Sequence, residues 1–161
     1  MLYEPLLHIV LYRPEIPPNT GNIGRTCVAI GAKLWLIEPL GFQINEKQLR
    51  RAGLDYWPLL EWEAVPDWGA LAARLSTPLA AKRAWFFTKT AKRPYTEISF
   101  QKGDVLIFGS ESSGLPPEIL QQYSFQAVRV PMRPEVRSLN LSATVAVAAY
   151  EAVRQIQPPI I

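Results

Sequence analysis

The sequence predicts one α/β domain built on a mostly parallel sheet, and three observations lead there. Short apolar runs of strand length alternate with segments of helical pattern. Those runs (LHIVLY, LWLI, AWFF, VLIF) are apolar at successive positions, as in strands buried on both faces. At 161 residues, 48% of them hydrophobic and 19% charged, the chain can fill one ordinary core and hardly two. Residues 1–161 are therefore read as a single domain, with no repeat, low-complexity segment or linker.

In order, Leu6 to Tyr12 reads as a buried first strand. The stiff RPEIPPNTG loop follows, then a helix from about Asn22 to Ala32, capped by Asn19 or Thr20 and ending near Gly31. Leu34 to Ile37 is a second strand, closed by Glu38-Pro39. Asn45 caps a short basic helix, Glu46 to Ala52, stopped by Gly53. Tyr56 to Val65 is dense in aromatics and broken by Pro58, and takes no assignment. Asp67 caps an amphipathic helix to Leu75. Ala84 to Thr88 is a strand, and Lys89 to Phe100 a basic, polar loop expected to be mobile. Val105 to Phe108 is a strand, Pro117 to Gln122 a short helix with proline at its start, and Ala127 to Val130 another strand. The last helix, through TVAVAAYEAVRQ, has almost no polar face before Glu151 and Arg154. A helix apolar all round must be covered all round, so a second subunit is expected against it.

Composition narrows the function classes. A net charge of +3 permits a nucleic-acid partner without requiring one. The single Cys27 forbids an internal disulfide and leaves no metal framework; amid Thr26, Val28 and Ala29 it reads as a buried structural thiol. His8, the only histidine, sits inside a strand pattern and reads as structural. With no signal peptide and no apolar run of bilayer length, a cytoplasmic protein without membrane contact is expected.

Two loops leave strand C-termini, where open α/β sheets bind ligands. They are FGSESSGLP (108–116) and PMRPEVRSLNLS (131–142). GSESSG has P-loop spacing, but Leu115-Pro116 stand where lysine and a hydroxyl residue are needed. NTGNIG lacks the order of a dinucleotide fingerprint, no G-x-S-x-G elbow occurs, and His8 has no triad partners. Asn140-Leu141-Ser142 matches a glycosylation acceptor, incidental at a helix start. What remains is Asn19, Arg25, Glu111, Ser138 and Asn140, all at strand-to-helix junctions or one turn into a helix. Each has a structural reading: Asn19 and Ser138 as caps, Glu111 as a loop acceptor, Arg25 as a surface charge. Their convergence on three loops at one edge points to a site.

The stretches NTGNIGRTCVAIGAKLWLIEPLGF, FGSESSGLP and RVPMRPEVRSLNLSATVAVAAYEA resemble, in order, the three signature motifs of the SPOUT superfamily of RNA methyltransferases. Within it, IPPNTGNIGR, LRRAGLDYW and the lack of an appended domain resemble the TrmL (YibK-type) tRNA 2′-O-methyltransferases. The resemblance implies a deep C-terminal trefoil knot, a homodimer, and S-adenosylmethionine bound in the knot. It implies catalytic roles for Asn19 and Arg25 from the first motif, Glu111 from the second, and Ser138 and Asn140 from the third. The cofactor would lie against Phe87, Thr88, Gly109, Glu111, Gly114, Val130, Pro131, Met132, Ser138 and Leu139, with no metal.

The implied reaction is methyl transfer to the 2′-hydroxyl of the wobble nucleotide, a pyrimidine in leucine tRNAs. Arg25 is either the base or, since arginine holds its proton, a grip on the neighbouring phosphate. For RNA contact the basic residues Arg50, Arg51, Lys89, Lys92, Arg93, Arg133 and Arg137 are candidates, with Tyr95 and Tyr150 as stacking partners. The rivals are an rRNA 2′-O-methyltransferase and a nucleotide- or RNA-binding module without chemistry.

Overall fold

The computed structural model describes residues 4–44 and 55–156. Six strands form one sheet: β1 (His8–Tyr12), β2 (Lys33–Ile37), β3 (Trp62–Val65), β4 (Ala84–Phe87), β5 (Val105–Phe108) and β6 (Ala127–Val128). Their order is β3-β2-β1-β5-β4-β6, and every pairing is parallel. Among the described residues five α-helices surround it: α1 (Pro17–Ile30), α2 (Trp68–Arg74), α3 (Ser76–Ala80), α4 (Pro117–Gln122) and α5 (Leu141–Ile156).

The continuous apolar strands are explained by cores on both faces. On one, Ile9, Leu11, Leu36, Phe87 and Phe108 meet Ile23 and Cys27 of α1 and Val145, Ala148 and Ala152 of α5. On the other, Val10, Ile37, Phe86 and Ile107 meet Leu71 of α2 and Ile119 of α4. Alternate residues of each strand go to opposite faces, so a one-residue slip in register would exchange the two cores. Burial drives the Cys27 thiol far above its ordinary pKa, as an inert structural thiol requires.

Several expected boundaries move. Helix α1 begins at Pro17, not Asn22, because two prolines fill its first positions, where no N–H is needed. Asn19 and Thr20 therefore lie inside the helix and cannot cap it. Strand β3 emerges from the unassigned aromatic stretch, after a single 3₁₀ turn at Trp57–Leu59 that accommodates Pro58. Helix α3 follows α2 directly; the Asp67 cap of α2 is borne out, its carboxylate accepting from the Ala70 N–H at 2.8 Å. Strand β6 stops at Val128. The basic loop expected to be mobile is pinned at its middle and at its C-terminal end. Arg129 N–H donates to the Arg93 carbonyl, Tyr95 N–H to the Arg129 carbonyl, and Phe100 N–H to the Gln155 side chain. Asn45 and its expected helix, with Arg50 and Arg51, lie outside the described residues.

Helix α5 is not covered all round. Val145, Ala148, Ala149 and Ala152 pack into the chain's own core, while Val147 and Tyr150 stay 43% and 49% exposed. Among the described residues no helix is long and apolar enough to cross a membrane.

Candidate active site

Because all strands are parallel, their C-terminal ends share one edge, where the loops after β1, β4, β5 and β6 meet. The loop after β5 is a turn folded tightly on itself: the Gly114 N–H donates to the Ser110 carbonyl at 3.0 Å. A Cβ on Gly109 would lie 2.1 Å from the Gly114 carbonyl carbon, and Gly114 has φ +67°. The two glycines are thus required by backbone contact and a left-handed turn, which accounts for their spacing without a phosphate.

This turn carries Glu111 to the start of α1. The Glu111 carboxylate accepts from the Glu15 N–H at 2.9 Å and the Ile16 N–H at 2.8 Å, and from the Asn19 amide at 3.3 Å. Helix α1 has no side-chain cap of its own at Ile16. A carboxylate 95 residues away supplies that capping and the negative charge the helix N-terminus favours. The contact is reciprocal: Glu15 accepts from both the N–H and the hydroxyl of Ser112. The Ser112 hydroxyl holds the Glu15 carboxyl below its ordinary pKa.

The network continues into the third motif. The Asn140 amide donates to the Asn19 side-chain oxygen at 3.0 Å. Asn140 in turn caps α5, accepting from the Ala143 N–H at 3.2 Å and the Ser142 hydroxyl at 2.6 Å. Glu111, Asn19 and Asn140 form one chain of hydrogen bonds locking the N-termini of α1 and α5 to the turn after β5. Asn140, not Ser138, is the cap.

Beside this lock lies a cavity of about 720 Å³, large enough for a nucleoside-sized ligand. Phe87, Thr88, Gly109, Glu111, Gly114 and Val130 line it as expected, as do Met132, Ser138 and Leu139. Pro131, which is exposed to solvent, does not. Residues not foreseen include Ile16, Ser110, Leu115, Leu120 and Thr144. Hydroxyls next to glycines in the second motif were a usable signal for Ser110; nothing local marks Ile16 or Leu120. One end of the cavity is apolar, where the rings of Phe87 and Phe108 stack at 4.6 Å. Lys89 and Arg137 stand in its wall, the two expected RNA contacts that the fold brings to the site.

Arg25 is not brought there. It lies on the exposed flank of α1, its guanidinium carbon 5.4 Å from the centroid of the Tyr56 ring. Of the other basic candidates, Arg93 pairs with Glu97 and Arg133 with Glu135, at 3.7 and 3.5 Å, both solvent-facing. Lys92 is exposed. Tyr95 packs against Phe87 and the core, so its ring is not free to stack on a base, whereas Tyr150 is open. His8 lies at the opposite edge, where its Nδ1 accepts from the Trp35 indole at 3.0 Å. No cluster of metal-ligating side chains occurs among the described residues.

The chain matches the SpoU rRNA Methylase family over residues 6–150 and belongs to that family. It is 48% identical over 151 residues to the tRNA (cytidine(34)-2′-O)-methyltransferase of Methylovorus glucosotrophus (strain SIP3-4), covering 93% of this chain and 96% of that one. A solved structure described as giving insight into the 2-OH methylation of C/U34 on tRNA is 44% identical, with a TM-score of 0.85 over 94% of this chain and 96% of its own. AviRb of Streptomyces viridochromogenes, a SpoU methyltransferase solved with AdoMet, shares the fold at 24% identity and a TM-score of 0.80. That likeness covers 96% of this chain and 59% of AviRb.

Proposed function

We propose that the protein transfers a methyl group from S-adenosylmethionine to the ribose 2′-hydroxyl of the wobble nucleotide of tRNA, a cytidine or modified uridine of leucine tRNAs. The observation carrying this is the Glu111–Asn19–Asn140 lock at the mouth of a nucleoside-sized cavity. Full-length relatives nearly half identical to the chain bear that activity in their names.

The residues present suit the cofactor. The apolar end, with Phe87, Leu115, Val130 and Met132, fits a purine ring, and the hydroxyl of Thr88 fits a ribose. Bound there, S-adenosylmethionine supplies an electrophilic methyl on a sulfonium sulfur. The chain's own contribution is then positioning, which can supply much of the rate. Glu111 already accepts three N–H donors, so it holds the site's geometry and is not the base. Ser138 is exposed with no partner among the described residues, free to hydrogen-bond the reacting hydroxyl. Lys89 and Arg137 at the wall attract the flanking phosphates.

Arg25 stands outside its own chain's cavity, so it acts on RNA lying across α1, gripping a phosphate with its planar fork. Arg25→Ala should cut methyl transfer at least a hundredfold with unchanged cofactor affinity, and Arg25→Lys should also be poor. Near-normal turnover in either removes it from the mechanism.

A homodimer is part of this reading, supported by the exposed apolar Val147 and Tyr150 on α5. Light scattering should show a dimer, and Val147→Glu a monomer. A deep trefoil knot is another part of this reading, and the return of the chain from edge strand β6 to pack α5 on α1 is compatible with it. A cytoplasmic location accords with a tRNA substrate. The deciding experiment is nucleoside mass spectrometry on RNA from cells with and without the gene. Loss of the wobble 2′-O-methyl on deletion is expected. Its retention, with an rRNA methyl lost instead, would transfer the assignment to rRNA.

A further inference from the structure

A second cavity, of about 600 Å³, lies against the first, and the site described above makes no use of it. The two share one wall, the Ser110–Gly114 turn with Leu115 and Pro117, only a single chain thick. Its far side is the loop after β1 and the loop after β2. These loops close on each other: Gly41 N–H donates to the Pro14 carbonyl at 2.9 Å, and a Cβ on Gly41 would lie 2.7 Å from the Cα of Glu15.

The lining is unusual in one respect. Arg13 holds φ +49°, a left-handed conformation that a long side chain rarely adopts, and its N–H is tied to the Ile37 carbonyl at 3.0 Å. Such strain tends to persist where it positions a functional group. Here it sets the guanidinium carbon 5.1 Å from the Tyr12 ring centroid, and both residues line the cavity. A guanidinium over a ring is a surface on which unpaired bases stack. Pro39, Leu40 and Leu115 make the remaining wall apolar, and Glu118 offers a carboxylate with no partner among the described residues.

Charge decides which part of a nucleotide fits. One arginine against the carboxylates of Glu15 and Glu118 leaves the lining net negative, which repels phosphate. A neutral base bearing an exocyclic amine is accepted, because that amine can donate to a carboxylate. We propose that this cavity receives the base of the nucleotide adjacent to the one methylated, stacked on Arg13 and Tyr12 with its amine on Glu118. The inference rests on the RNA methyltransferase reading above and adds a specificity subsite to it.

The test is steady-state methylation of an anticodon stem-loop RNA, compared with the same RNA made abasic at the nucleotide on either side of the target. One of the two abasic RNAs should raise KM about tenfold, the scale of losing one stacked base, with kcat within about twofold. Arg13→Asn, a residue that tolerates the left-handed backbone, and Glu118→Ala should each raise KM for the intact RNA. Neither should weaken the abasic RNA further, since the partner group is already gone. Unchanged S-adenosylmethionine affinity by calorimetry shows that the variants are folded. If wild-type enzyme methylates the intact RNA but variants and abasic substitutions have no effect, or their effects multiply, the subsite is wrong. If wild-type enzyme methylates no tRNA, the parent reading fails and takes the subsite with it.

Discussion

The two ends of the parallel sheet both carry polar side chains, and they use them differently. At the N-terminal edge the groups consume one another. Asp104, 1% exposed, takes a two-point pair from Arg83, the Trp85 indole N–H at 3.1 Å and the Gln101 N–H at 3.0 Å. Lys33 and Arg74 converge on Glu63, and Lys33 lies over the Trp35 ring that donates to His8. At the C-terminal edge the bonds of Glu111, Asn19 and Asn140 run between loops. They leave two cavities along whose walls the Ser138 hydroxyl and the charges of Lys89, Arg137 and Glu118 have no partner among the described residues. A closed polar cluster holds strands together, and an open one holds loops apart at a spacing a ligand can use.

The sharpest way to break this contrast is Asp104→Ala. It takes the carboxylate from a half-buried guanidinium and a buried indole N–H, and should cost about 3 kcal/mol in urea unfolding. Cofactor affinity of the folded fraction should not change. A loss of affinity without a loss of stability would mean that the N-terminal edge is not merely structural.

Next is pH. Burial, then the charge of Lys33, depresses the His8 pKa to about 4, against about 6.5 unfolded. Above pH ~6.5 neither state binds the proton. Between ~6.5 and ~4 only the unfolded chain does, so stability is full at neutral pH and falls by about 3 kcal/mol across that window. Replacing His8 by Asn should flatten that part of the stability profile. An unflattened profile would assign the acid loss to other groups.

The smallest stability effect should come from Glu111→Gln. One carboxylate oxygen and the charge at the start of α1 are lost, about 1 kcal/mol by thermal unfolding. Methyl transfer should nevertheless fall at least tenfold, because Asn19 and Asn140 lose their anchor. If stability falls as far as in Asp104→Ala and turnover follows only the folded fraction, the two edges do not differ in kind.

Much of the molecule was legible from sequence, for local reasons. Continuous apolar runs identify doubly buried strands, Asp67 marks a helix start, and glycine and hydroxyl residues past β5 mark a ligand edge. The motif residues Asn19, Glu111 and Asn140 were found by pattern, and the fold joins them. What sequence misread were features whose cause is remote. Helix α1 begins five residues early because prolines start it and Glu111, far along the chain, caps it. The aromatic stretch becomes β3 because β2 offers a free edge. Arg25 looked like a neighbour of Asn19, but six residues of helix turn it away onto Tyr56.

The sequence by itself determined the class of sheet, the two-faced core and the edge at which ligands bind, because hydrophobic period and turn chemistry act over a few residues. Only the tertiary structure decided which polar groups are spent and which are open. A hydrogen bond from Asn140 to Asn19 or from Ile16 to Glu111 spans about a hundred residues. Whether such a donor finds its acceptor depends on how the loops pack, which no local pattern encodes.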